Sequence, residues 1–209
     1  MRQFAIFAAI MIPFASSAQT GEPPSTETSP PGINVTDARP KPETTEWLGW
    51  LSSDCNTGIR RIGDEKTAPP RLALLQSDLR AALGDKFATS TLQVTKYTIF
   101  VNASQWMQRS NPGANSLVGA FLIAGNCKKE DVIGGWYSAD EVTNDRAPVV
   151  IEIEGLLEGK SVSARLVYST DVDIISGWGL FGNKEKAQAA LREAMTQADA
   201  KLIAQIQKP

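Results

Sequence analysis

The sequence predicts an α+β domain: a small antiparallel or mixed sheet with a central hairpin, and two amphipathic helices packed on one face. Three observations predict it. Val149–Tyr168 alternates apolar and polar residues on both sides of a tight turn. Arg71–Leu83 and Asn183–Gln207 repeat apolar residues every three or four positions, and Thr91–Asn102 is a long run of branched and aromatic residues between those helices.

In the hairpin, Val149, Ile151 and Ile153 alternate with Val150, Glu152 and Glu154. Val162, Ala164, Leu166 and Tyr168 alternate with Ser163, Arg165 and Val167. A strand repeats every two residues, so each set shares a face. With Glu158 and Gly159 at the turn, Leu157 opposes Lys160, Ile151 opposes Leu166, Ile153 opposes Ala164, and Glu152 opposes Arg165. A slip of one residue would move every apolar side chain to the wrong face, so the pattern selects this register.

From the start of the chain, Met1–Ala18 reads as a secretory signal peptide: Arg2, an apolar run from Phe4 to Phe14, then small Ser16 and Ala18 before Gln19. That run is too short to span a bilayer, and no later stretch reaches the roughly 18 apolar residues of a membrane helix. The mature chain is expected to be periplasmic or secreted, with no cysteine at the cleavage point to carry a lipid. Gln19–Glu46 is rich in Pro, Thr and Ser with almost no large apolar residue, and reads as a disordered spacer. Asn34-Val35-Thr36 and Asn102-Ala103-Ser104 are glycosylation triplets, which matter only in a eukaryotic secretory pathway.

A single folded domain is expected over residues 47–207. Trp47, Leu48, Trp50 and Leu51 suit a short helix that starts it. Pro69 and Pro70 precede the helix Arg71–Leu83, whose stripe of Leu72, Leu75, Leu79, Leu83 and Phe87 faces inward, with Gln76, Asp78 and Arg80 outside. In the strand Thr91–Asn102 the alternation shifts at Lys96, which either a bulge there or a covering element on both faces explains. Ser104–Ser116 reads as a long loop, Leu117–Ala124 as a buried strand by length and flanking turn residues, with a helix left open by its periodicity, and Val132–Tyr137 as a short strand with a close backbone approach at Gly134 and Gly135. Asn183 caps the last helix, which runs to Gln207 with Ala187, Leu191, Ala194, Ala198 and Leu202 on one side.

Only two cysteines exist, Cys55 and Cys127, and in an oxidising compartment a disulfide between them is the first expectation. Closing a loop of about 70 residues is worth roughly 4 kcal/mol on the chain-entropy account. The alternative is two separate buried thiols. A net charge of −2 with scattered basic residues gives a nucleic acid no electrostatic footprint.

The chain contains no histidine, which removes the usual serine and cysteine triads, most catalytic zinc sites and the commonest general base. Gly177-Trp178-Gly179-Leu180-Phe181-Gly182 has the spacing of a dinucleotide loop, but it follows an antiparallel hairpin and no strand comes after its helix. It reads instead as a connection whose Trp178 and Phe181 tuck into the core or touch a partner. Asp140, Glu141 and Asp145 precede the hairpin and Asp171 and Asp173 follow it, without the spacing of a calcium loop. No catalytic residue, cofactor or metal is assigned. Trp47, Trp50, Trp106 and Trp136 are the aromatic residues available to stack on a sugar.

The succession of amphipathic helix, long strand, hairpin and terminal helix over about Arg71 to Gln207, after an export signal and spacer, resembles small bacterial envelope proteins of the YajG and transport-auxiliary lipoprotein type. The chain departs from them in lacking the lipidated cysteine. The resemblance implies a non-catalytic accessory or binding role in the envelope, exercised through protein contacts. Two alternatives stand beside it: a carbohydrate-binding module using those tryptophans, and a hydrolase with two carboxyls facing across a pocket.

Overall fold

A computed structural model describes residues 32–49, 55–103, 105–106, 128–144, 146–177 and 182–208. Among them, one mostly antiparallel sheet of six strands is combined with helices in an α+β arrangement. The strands are β1 (Asn34–Asp37), β2 (Trp47–Leu48), β3 (Ile59–Arg61), β4 (Thr91–Asn102), β5 (Val149–Leu157) and β6 (Lys160–Tyr168). Their order is β2-β3-β4-β5-β6, with β1 added in parallel beside the start of β4. The helices are the single turn α1 (Lys41–Thr44), α2 (Arg71–Leu83), the single turn α3 (Ile174–Gly177) and α4 (Lys184–Ile206).

The hairpin has the register its sequence pattern selects, with Ile151 opposite Leu166, Ile153 opposite Ala164 and Glu152 opposite Arg165. Its two turn residues have positive φ, 51° at Glu158 and 80° at Gly159, the handedness that matches the twist of the flanking strands. The register of β4 against β5 shifts between Val94 and Lys96, which is the bulge among the two explanations of the broken alternation. The core joins Leu75, Leu79 and Leu83 of α2 with Leu191, Ala194 and Leu202 of α4 and the Leu92, Val94, Ile99 and Val101 side chains of β4. Asn183 caps α4 by accepting a hydrogen bond from the Lys186 N–H at 2.9 Å.

Order begins before Trp47, within the stretch assigned to the spacer. β1 pairs Asn34–Asp37 with Thr91–Val94, Ile33 is fully buried, and the amide of Gln76 holds the backbone on both sides of Asn34. This segment is held by main-chain pairing and one amide side chain, which an apolar count does not register. Trp47–Leu48 is not helical but a two-residue strand paired with β3. Val132–Tyr137 contains no strand; Gly134 and Gly135 do approach closely, to the Phe100 ring, where a Cβ on Gly134 would stand 2.5 Å from the ring edge.

The signal peptide, the spacer up to residue 31, Trp50, most of Ser104–Ser116, the Leu117–Ala124 strand, Cys127, Asp145, Trp178 and Phe181 lie outside the described residues. No described helix is long and apolar enough to cross a membrane.

Candidate functional site

The edge of β4 that faces away from β5 is shared by two strands with a gap between them. β1 covers Thr91–Val94, β3 covers Phe100–Asn102, and the flanking bonds are Ala38 N–H to Val94 O and Ile62 N–H to Ile99 O, each 2.9 Å. In the gap, the fully buried Arg71 donates from Nη1 to Tyr97 O at 2.6 Å and from Nη2 to Ile62 O at 2.8 Å. A guanidinium with several fixed donors thus supplies the bonds a missing strand would have made. Its Nε forms an ion pair with Asp64, which also receives both terminal nitrogens of Arg39, and Arg39 in turn pairs with Asp37. Burial pulls the Arg71 pKa down, and the Asp64 carboxylate opposes that pull.

Tyr97 carries this polar thread across the core. Arg71 lies 5.8 Å from the centre of its ring, and its hydroxyl donates to Asp199 Oδ1 on α4 at 2.9 Å. Asp199 in turn meets Asp78 of α2. Gln76 and Asp78, expected outside, are therefore half-buried members of the interior.

A cleft of about 500 Å³ runs beside β6, lined by Lys96, Glu152, Ser163 and Arg165 of the sheet and by Lys201 and Gln205 of α4, among others. Its charges are paired: Lys96 with Glu152 at 2.8 Å and Glu154 at 3.2 Å, and Arg165 with Glu141 at 2.6 Å and Glu152 at 3.8 Å. Arg165 also donates to the carbonyl of Trp136 and so straps the 136–141 segment onto the hairpin. Glu141 accepts from Ser138 through both the backbone N–H and the hydroxyl. Against the opposing cost of partial burial, these donors and Arg165 hold its carboxyl down at about 2.

β6 ends the sheet among the described residues. In a two-residue hairpin the pair flanking the turn exchanges both backbone bonds, here Leu157 and Lys160. The N–H and C=O groups of Val162, Ala164 and Leu166 thus face β5, while those of Ser161, Ser163, Arg165 and Val167 face outward. Lys201 Nζ donates to the outward carbonyl of Arg165 at 3.3 Å. The Ser161 and Ser163 side chains are exposed.

Of the tryptophans, Trp47 is half-buried in β2 and Trp136 is half-buried under the Arg165 strap. Trp106 lines a cavity of about 160 Å³ with Val101, Arg146, Asp173, Ile174 and Ile175, and its buried indole N–H has no hydrogen-bond partner among the described residues. Asp140 and Glu141 fall in one short 3₁₀ turn, whereas Asp171 and Asp173 border a separate shallow hollow with Gly177, Gly182 and Lys186. No group of three or more potential metal ligands exists among the described residues. Cys55 sits half-buried in a turn before β3, and no cysteine there is a free thiol.

The sequence pattern gave no hint of Arg71, which looks like an ordinary first-turn helix residue. A signal for Asp199 does exist: it stands between Ala198 and Leu202, inside the apolar stripe of α4. No protein-family model, curated protein or solved structure matches this chain.

Proposed function

We propose that this chain is an exported, non-catalytic accessory module of the bacterial envelope, and that it works by accepting an extended segment of another envelope protein along β6. The observation that carries this reading is the outward row of backbone donors and acceptors at Ser161, Ser163, Arg165 and Val167, guarded at one carbonyl by Lys201. A sheet edge of this length is a template for a further strand, whose main-chain bonds supply affinity while the flanking side chains supply selectivity. The cleft beside it offers room for the side chains of such a strand. A signal peptide at Met1–Ala18, a Cys55–Cys127 disulfide and both long helices on one face of the sheet belong to the same reading.

A photo-crosslinking residue at Ser161 or Ser163, with Lys184 as a control position, tests it in intact cells. Adducts with one envelope protein from the two β6 positions and none from Lys184 are expected. Equal labelling at all three positions, or none, contradicts the reading.

A second reading rests on Trp106. A buried indole N–H with no partner among the described residues, beside a cavity of about 160 Å³, fits a small ligand that brings a hydrogen-bond acceptor, such as a sugar hydroxyl. Tryptophan fluorescence that stays unchanged on titration with monosaccharides removes it.

A further inference from the structure

Asp78 of α2 and Asp199 of α4 meet beside the apolar side chains that both helices bring to the core. Asp199 is fully buried, between Ala198 and Leu202, and among the described residues no donor reaches the buried Oδ2 of either carboxyl. Two carboxylates in contact, one fully buried and the other half-buried, do not both stay ionised, and one proton placed between them satisfies both. From β4, Tyr97 donates to Asp199 at 2.9 Å. From α2, Arg71 lies over the Tyr97 ring and is committed to Asp64 and two carbonyls. From α4, Arg192 acts on Asp78 through space. The β5 and β6 residues in this core, such as Ile151, Ile153, Ala164 and Leu166, carry no charge. No cation forms an ion pair with either aspartate among the described residues.

We infer that Asp78 and Asp199 are a proton-held clasp, in which one shared proton locks α4 against α2 and β4 and its release to solvent frees them. Burial, followed by the proximity of Asp78, pushes the Asp199 carboxyl up to about 8, against the pull of the Tyr97 hydroxyl. Burial raises Asp78 as well. The sign follows from linkage. The closed pair keeps a proton that water-exposed aspartates give up near pH 4, so the clasp is at full strength below that value, weakens as pH rises, and is lost above about 8. Because the chain has no histidine, no side chain with an ordinary pKa titrates between pH 5 and 8 to mask the effect. A chain of this composition would otherwise be indifferent to pH over that range.

Hydrogen exchange of the α4 backbone amides from Met195 to Leu202, corrected for intrinsic rates, tests the clasp. Each pH unit between about 5 and about 8 is expected to raise the opening equilibrium about tenfold in the native chain, one proton being released per opening. In Asp199→Asn and Asp78→Asn the amide replaces the shared proton permanently, so both variants are expected to give a flat profile. A flat profile in the native chain, or an undiminished slope in both variants, overturns the inference. If the variants do not fold, infrared spectroscopy of the native chain decides. A protonated-carboxyl band at pH 6 that disappears by pH 9 supports the clasp, and the absence of that band overturns it.

Discussion

Arg71 and Tyr97 meet at the gap in the edge of the sheet, where the guanidinium binds the Tyr97 carbonyl at 2.6 Å and lies 5.8 Å from the centre of its ring. One buried side chain thus replaces a stretch of strand, and one tyrosine links that replacement to the helix layer through its hydroxyl on Asp199. The edge of the sheet and the junction of the two helices are in this way parts of a single polar network inside an apolar core.

Removing the guanidinium leaves the carbonyls of Tyr97 and Ile62 and the Asp64 carboxylate without their partner. Arg71→Met is expected to destabilise the domain by roughly 3 to 5 kcal/mol, the usual cost of breaking a buried ion pair from one side. Arg71→Lys is expected to recover little of it, since an ammonium cannot present the same fork of donors. Urea unfolding of the three chains measures both effects.

Gln76 tethers β1, accepting from Val35 N–H at 2.7 Å and donating to the Ile33 carbonyl. Gln76→Ala is expected to lower stability by about 1 to 2 kcal/mol and to release the Asn34–Asp37 amides to fast exchange, while β5 stays protected. Amide exchange resolved by residue reports it.

Glu141, held at about 2, gives a pH dependence opposite in sign to that of the aspartate pair. Its folded-state pKa lies below the ordinary glutamate value of about 4.3, so its contribution is present above that value and is lost as pH falls toward 2. Arg165→Ala is expected to move the Glu141 carboxyl part of the way back toward its ordinary value, with a stability loss of about 1 kcal/mol or less because the pair is partly exposed. Carboxyl titration followed by NMR checks the shift.

At the hairpin turn Gly159 has φ of 80°, a conformation that a Cβ penalises. Gly159→Ala is expected to cost about 1 to 2 kcal/mol, although nothing lies within 4 Å of the added methyl, because the cost comes from the backbone alone. Thermal unfolding detects it.

The hairpin, α2 and α4 were legible because each repeats a period over many residues, and the turn and cap residues agree with it, while the break of period at Lys96 marked a bulge only as one of two explanations. β1, β2 and β3 were not, since strands of four, two and three residues owe their existence to the backbone they pair with, β4 for β1 and β3 and β3 for β2, rather than to any pattern of their own. The interior polar residues were hidden for a related reason. Asp78 and Gln76 stand on the side of α2 that would face water if Ile33 and α4 did not cover it. Arg71 gains its partners from residues 62, 64 and 97, which nothing local announces. Glu152 and Arg165, legible as a cross-strand pair, also recruit Glu141 and the Trp136 carbonyl from a segment whose path the sequence does not specify.

The open edge of β6 is tested most directly by hydrogen exchange along that strand. Slow exchange at Val162, Ala164 and Leu166 alternating with fast exchange at Ser161, Ser163 and Val167 is the predicted result. Uniform protection of all six amides would mean that the edge is already occupied, and would contradict the account.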